Sequence, residues 1–160
     1  MGKVSLIITV YNRVNLLRKC LISLNYQSVK PDELIISDDG SDENILDGIS
    51  DIIKNLSLPT IYVSQKHEGF RLAKCRNNGV RVSGGDLLIF LDQDLFLTKN
   101  YLRTFVEHQK ENRFLTSYPI RLSKEQSENI TEEKIKNYSF MEYLNKKQRD
   151  KKERKQQRSQ

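Results

Sequence analysis

Two short acidic stretches carry the strongest chemical signal in this 160-residue chain. Asp92-Gln93-Asp94 closes the apolar run LLIFL, and Asp38-Asp39-Gly40-Ser41 closes the run ELIIS. Carboxylates a few ångströms apart repel by about 1 kcal/mol in water and by more where water is scarce, so four of them gathered at one place call for a cation. Oxygen ligands with no His or Cys beside them suit Mg2+ or Mn2+, and Mg2+ usually bridges a carboxylate to substrate phosphates. Arg13, Arg71, Lys74 and Arg76 stand in neighbouring polar segments, where guanidinium and ammonium groups can clamp phosphate. Together these residues describe a site for a metal-bound diphosphate. No GxxxxGK followed by Ser or Thr occurs, and no GxGxxG follows the first apolar run, which sets aside P-loop and dinucleotide-binding sites. Each stretch alone also has a plainer reading: Asp39-Gly40-Ser41-Asp42 as a turn and helix cap, Asp92 and Asp94 as a solvated strand end.

The elements that must position these residues follow from the apolar pattern. Five apolar runs recur, at 4–10, 33–38, 60–64, 86–92 and 114–120, and the fourth reads as a strand buried on both faces. Helical stripes lie between them: Leu16, Leu17, Cys20, Leu21 and Leu24; then Ile45, Ile49, Ile52, Ile53 and Leu56. A weaker stripe of Leu72, Cys75, Val80 and Val82 is interrupted by Asn77-Asn78-Gly79, and Thr98 can cap a fourth helix carrying Leu102, Phe105 and Val106. Strands alternating with helices at this spacing mean an α/β domain with right-handed crossovers and a mostly parallel sheet, helices on both faces. In such sheets ligands bind at the C-terminal strand ends. Those ends carry Thr9-Val10-Tyr11-Asn12-Arg13, the acidic pair at 38–39, His67-Glu68-Gly69-Phe70-Arg71, and the acidic turn at 92–94.

Composition narrows the class further. The net charge of +6 comes entirely from residues 145–160, with eight Lys or Arg against two acids, while residues 1–144 balance. That tail holds no hydrophobic residue, so it reads as a solvated helix end or disorder, with contact to an anionic surface as the functional alternative. Thr131-Glu132-Glu133 can open a last helix bearing Ile135, Tyr138, Met141 and Leu144. Cys20 and Cys75 have no metal-ligand spacing and read as buried free thiols of a cytoplasmic protein. His67 reads equally as a phosphate contact or a solvated loop residue, and Phe114 as core or half-buried surface.

In order and spacing, SLIITVYNR, DELIISDDGSD, GFRLAKCRNNGV and GGDLLIFLDQD resemble the nucleotide-sugar-binding half of glycosyltransferase family 2, with its GT-A (Rossmann-like) fold, over residues 3–121. HEGFRLAKCRN is similar to the branch of bacterial polysaccharide and chondroitin polymerases. The resemblance implies a UDP-sugar donor, a glycan or saccharide acceptor, Mn2+ or Mg2+, and inverting transfer. It places Thr9, Val10 and Tyr11 around base and ribose, Arg13 toward the donor, and Asp39 on the uracil N–H, with Asp38 supporting the loop. It sets Arg71, Arg76 and Asn77 along the donor pocket, Asp92 near the ribose, and Gln93 among the nucleotide-sugar-binding residues. It makes Asp94, with Asp92, the metal ligand.

The resemblance also implies a second half with an acceptor site and a general base, often in a Glu-Asp pair, which residues 122–160 do not contain. The expected organisation is therefore a donor-binding core at 1–121, a partial helical extension at 122–144 and the basic tail at 145–160, truncated C-terminally, with no catalytic base identified. A non-catalytic binding module docking through its tail, peripheral to a membrane, is the alternative, and no nucleic-acid partner is expected.

Overall fold

The computed structural model describes residues 2–143 and 145. The chain divides into two compact units, with the boundary between Leu115 and Thr116. In the first, four strands form one parallel sheet: β1 (Val4–Val10), β2 (Glu33–Asp38), β3 (Thr60–Ser64) and β4 (Leu87–Asp92), in the order β3-β2-β1-β4. Between and after them run α1 (Val14–Asn25), α2 (Ile45–Leu56), α3 (Leu72–Val82) and α4 (Tyr101–His108). The winding reverses after β3, since β4 lies on the far side of β1. A right-handed crossover in the reversed direction has to pass over the other face. Accordingly α1 packs on α2, while α3 lies across β1, β2 and β3.

The two central strands explain the apolar runs. Every residue of β1 is buried, as are the last five of β2, because helices cover both faces of a parallel sheet. The run at 87–91 differs from its expected burial on both faces. β4 is an edge strand outside the footprint of α3, so Ile89 and Leu91 are buried while Phe90 is 41 % exposed. The run at 114–120 forms no strand, and Phe114 and Tyr118 are almost fully exposed. Hydrophobicity marked the segment, but no neighbouring strand takes up its backbone groups.

Two helices also depart from their sequence reading. The buried face of α3 is Cys75 and Gly79, four residues apart, whereas Val80 and Val82 are partly exposed. The interruption at Asn77-Asn78-Gly79 is what lets α3 sit down on the sheet: a Cβ on residue 79 would stand 2.6 Å from Ile7 Cγ2. Thr98 does not cap α4 with its hydroxyl. The first turn is held by Gln27 at the end of α1, whose Oε1 accepts from Leu102 N–H at 3.1 Å while its Nε2 donates to the Thr98 carbonyl at 2.7 Å.

The second unit holds α5 (Lys124–Glu128) and α6 (Glu132–Lys136). Ser123 and Gln126 cap each other reciprocally at the start of α5, and Thr131 Oγ1 accepts from Lys134 N–H at the start of α6. The expected continuous helix through Tyr138 and Met141 is interrupted: α6 ends at Lys136, Tyr138 takes a left-handed φ of 59° in a turn, and helical backbone resumes at Met141. Leu144 and the basic residues from 146 onward lie outside the described residues. Among the described residues no helix is long and apolar enough to cross a membrane.

Gly79→Ala forces a methyl group against fully buried Ile7. The expected loss is about 1–3 kcal/mol of unfolding free energy, as for overpacked cores, read by urea denaturation. Unchanged stability would mean that α3 rides higher on the sheet than described.

Candidate functional site

The sheet register brings the predicted residues to one rim. Thr9 stands opposite Asp92 on one side and Ser37 on the other, and Val10 is opposite Asp38. Past these positions the strand ladders end, and side chains take over. Gln93 is buried, and its amide meets the backbone of Tyr11 twice: Oε1 accepts from Tyr11 N–H at 3.1 Å, and Nε2 donates to the Tyr11 carbonyl at 3.1 Å. This fixes the loop after β1 against the acidic turn after β4. Gln93 therefore positions Tyr11, with both ends of its amide engaged. Thr9 Oγ1 reinforces the junction by donating toward Asp92 Oδ1 at 3.3 Å.

The loops after β1 and β2 are stitched together. Asn12 and Arg13 both take left-handed φ values, 50° and 53°. Asn12 N–H donates to Ser41 Oγ at 2.7 Å, and Asn12 Oδ1 accepts from the backbone of Asp42 and Glu43. Arg13, at the head of α1, makes no capping bond with its own side chain. The Glu43 carboxylate supplies the cap from the other loop, accepting from Arg13 and Val14 N–H at 2.8 and 2.9 Å. A carboxylate there also faces the positive end of the helix.

The four acids do not form the crowded group that the sequence suggests. β1 lies between β2 and β4, so two strand spacings, about 10 Å, separate the strand ends that carry the two acidic pairs. Each pair has its own partners. Asp38 is buried and accepts from Ser41 N–H and Oγ on one oxygen and from the Tyr62 hydroxyl at 2.5 Å on the other. Asp39 is buried and accepts from Gln65 Nε2 and from Arg71 N–H. Asp92 is paired with Arg76 at 2.9 Å, both partly exposed. The repulsion that called for a cation is thus relieved by internal donors at three of the four positions. Asp94 is exposed and has no hydrogen-bond or ion-pair partner among the described residues.

This donor set bears on the metal. Among the described residues no three acidic, His or Cys side chains come together as a cage. A free exposed carboxylate at Asp94, with Asp92 two residues away, instead suits an ion completed by oxygens of a bound ligand, the usual mode for Mg2+. Burial under this turn also shapes Cys20. Its thiol is pushed up to about 12 by desolvation first and then by the negative charges of Asp94 and Asp92, which leaves it unreactive.

The third segment of the rim is the loop after β3. The His67 ring stacks on Tyr11 with centroids 4.4 Å apart and planes 14° from parallel, and its Nδ1 lies 3.0 Å from the Asp39 carbonyl. Gly40, at φ 79°, passes so close to the His67 backbone that a Cβ could not fit. Arg71 is ion-paired with Glu68 at 2.6 Å and donates to the Lys66 carbonyl, while Phe70 projects almost fully exposed. Asn77 is exposed on α3, and Val10 is buried, its carbonyl accepting from Asp39 N–H at 2.8 Å. The structure thus gathers Thr9, Val10, Tyr11, Asp39, Arg71, Arg76, Asp92, Gln93 and Asp94 along the strand ends, with Arg13 at the head of α1. It adds Glu43, Tyr62, Gln65 and Asn78, polar residues whose side-chain bonds to the other loops span 13 to 30 positions in sequence and leave no local signature.

The family described as Glycosyl transferase family 2 matches residues 5–158. Glycosyltransferase GlyA of Streptococcus pneumoniae is 33% identical over 116 residues, and hyaluronan synthase of Pasteurella multocida is 34% identical over 115. These alignments take in 68% and 70% of this chain but only 16% and 11% of the two relatives, so the chain spans less than a fifth of either. Among solved structures, S. aureus TarS 1-349 in complex with UDP-GlcNAc superposes with a TM-score of 0.56 at 23% identity, over 72% of this chain and 37% of the 1-349 chain. That likeness establishes a shared GT-A fold.

Tyr62→Phe removes one donor from buried Asp38 and is expected to cost about 1–3 kcal/mol in urea denaturation. Burial, and then the bond to Asp38, raise the Tyr62 phenol above its usual 10. The neutral phenol is therefore the stabilising form. Its contribution is intact below pH 10 and falls away as pH rises above it, so the wild type should lose stability more steeply than Tyr62→Phe there. Parallel alkaline profiles would contradict the Tyr62–Asp38 bond.

Proposed function

Because the chain belongs to glycosyl transferase family 2, we propose that its strand-end rim binds the nucleotide-sugar donor, a UDP-sugar, for transfer with inversion to a saccharide acceptor. The observation that carries this reading is the Gln93 amide holding the loop after β1 beside the turn that presents Asp94. A base-binding loop and a metal-binding turn are thereby kept in fixed register, which is what a nucleoside diphosphate with its cation requires.

The roles divide by position. Tyr11, a residue 37 % exposed, offers its ring for the base, and Asp39 supplies the carboxylate for the uracil N–H. Arg76 and Arg71, each already set by an ion pair, hold positive charge near the diphosphate. Arg13, at the head of α1, and Asn77, on α3, complete the donor side. Asp94, with Asp92, would hold Mn2+ or Mg2+, which when bound neutralises the diphosphate and stabilises it as it leaves the anomeric carbon. No rim acid is assigned as the general base, since Asp38 is buried with both oxygens bonded to internal donors and Asp39 is given to the base. The UDP-GlcNAc complex of TarS and the likeness to a hyaluronan synthase support a sugar-nucleotide donor and a polysaccharide acceptor. A cytoplasmic setting fits two buried free thiols, and the basic residues of the tail would supply peripheral contact with an anionic membrane surface.

UDP at a hundred times its dissociation constant stabilises a protein by about 2.7 kcal/mol. For a chain of this size that is a rise in Tm of roughly 5–10 °C. The expected result is such a rise with UDP and Mn2+ together, and loss of its Mn2+-dependent part in Asp94→Ala. A thermal scan unmoved by millimolar UDP and Mn2+ would overturn the donor reading and favour a docking module.

A further inference from the structure

A chain of hydrogen bonds runs from the outer face of α3 to the carboxylate assigned to the base. Arg81 Nη1 donates to Asn78 Oδ1 at 2.7 Å, and Asn78 Nδ2 donates to Gln65 Oε1 at 2.8 Å. Gln65 Nε2 donates to Asp39 Oδ1. The two ends of this chain fix its direction. A guanidinium only donates and an ionised carboxylate only accepts. Asn78 must therefore turn its carbonyl to Arg81 and its NH2 to Gln65, and Gln65 must turn its carbonyl to Asn78 and its NH2 to Asp39. Neither amide can flip without opposing two donors or two acceptors.

We propose that Gln65 is a positioning residue for base recognition, oriented by Asn78 and Arg81 from outside the site. The inference rests on the donor reading given above. Gln65 holds Asp39 Oδ1, and the Arg71 backbone holds Oδ2 at 3.3 Å. The carboxylate is thus fixed in one rotamer, with a lone pair left to accept the N3–H that uracil has and cytosine lacks. Asn78 and Arg81 touch no ligand in this arrangement. They act only by forbidding the Gln65 amide to present its oxygen to Asp39.

Asn78→Asp isolates this role from mere stability. The new carboxylate keeps, and strengthens by charge, the link to Arg81, so global stability should hold. It has no N–H for Gln65, whose amide is then free to turn. Dissociation constants of UDP, CDP and pyrophosphate, each with Mn2+, are measured by calorimetric titration on the full chain for wild type, Asn78→Asp and Gln65→Leu. Hydrogen bonds to charged groups are worth about 1.5–3 kcal/mol, so both variants should lose on the order of tenfold or more of the preference for UDP over CDP. Pyrophosphate binding should not change. Restoring an amide by Gln65→Asn with its shorter reach should recover less than wild type. An unchanged UDP-to-CDP ratio in both variants overturns the proposal, as does an equal loss for pyrophosphate. If the wild type binds pyrophosphate but neither nucleotide, the base reading fails with it. Side-chain amide exchange then judges the chain alone, and a Gln65 NH2 exchanging as fast as a free amide refutes it.

Discussion

The Gln93 amide is the contact on which this rim depends. Parallel strands hold one another only as far as their ladders run, and here the ladder between β1 and β4 ends at Thr9 and Asp92. Beyond it the two chains would be free to diverge. The Gln93 side chain continues the pattern in place of backbone, offering one acceptor and one donor to Tyr11 at 3.1 Å each. Neither a carboxylate nor an ammonium can do both, because one lacks a donor and the other an acceptor. Its burial adds to the constraint, since an unmatched amide end there would cost the full desolvation penalty. Asp92 and Asp94 flank Gln93, so the inward pull of the middle residue turns its neighbours toward solvent.

The other loops are fixed by the same economy of unlike groups. Glu43 caps α1 from the β2 loop, and Asn12 anchors the β2 loop from the β1 side. Asp39 gathers the loop after β3 through its carboxylate, and through its carbonyl it meets the His67 ring that lies on Tyr11. Three loops from three strands are therefore tied at two acidic residues and two amides. A site assembled this way holds its geometry before any ligand arrives, which lowers the ordering cost of binding.

Much of the fold was legible because period and burial agree in it. The runs at 4–10 and 33–38 are apolar throughout since both faces of the central strands are covered, and the helices between them follow their stripes. The run at 114–120 shows the limit of that logic: a hydrophobic segment becomes a strand only where another strand accepts its backbone. Gly79 shows a second limit, because a close approach between helix and sheet is marked by the absence of a side chain. The site was legible as a set of positions but not as a network. Like charges read from sequence suggested four acids sharing a cation, whereas β1 divides them and Tyr62, Ser41, Gln65 and Arg76 answer three of them individually. Ser41 is local to Asp38, as the turn reading implies, but Tyr62, Gln65 and Arg76 lie 16 to 26 positions from their acids, and nothing in local spacing points to them.

The central claim is that this rim, with Asp94 as its open carboxylate, holds a metal-bound nucleotide. Mn2+ is paramagnetic and broadens the amide resonances of residues close to it, so a 15N-labelled chain titrated with Mn2+ in the presence of UDP locates the ion directly. The account predicts selective broadening at residues 92–95 and along the loop from Thr9 to Arg13, stronger with UDP than without. Broadening centred on the acidic first turn of α6, or spread without preference over the surface, would contradict it.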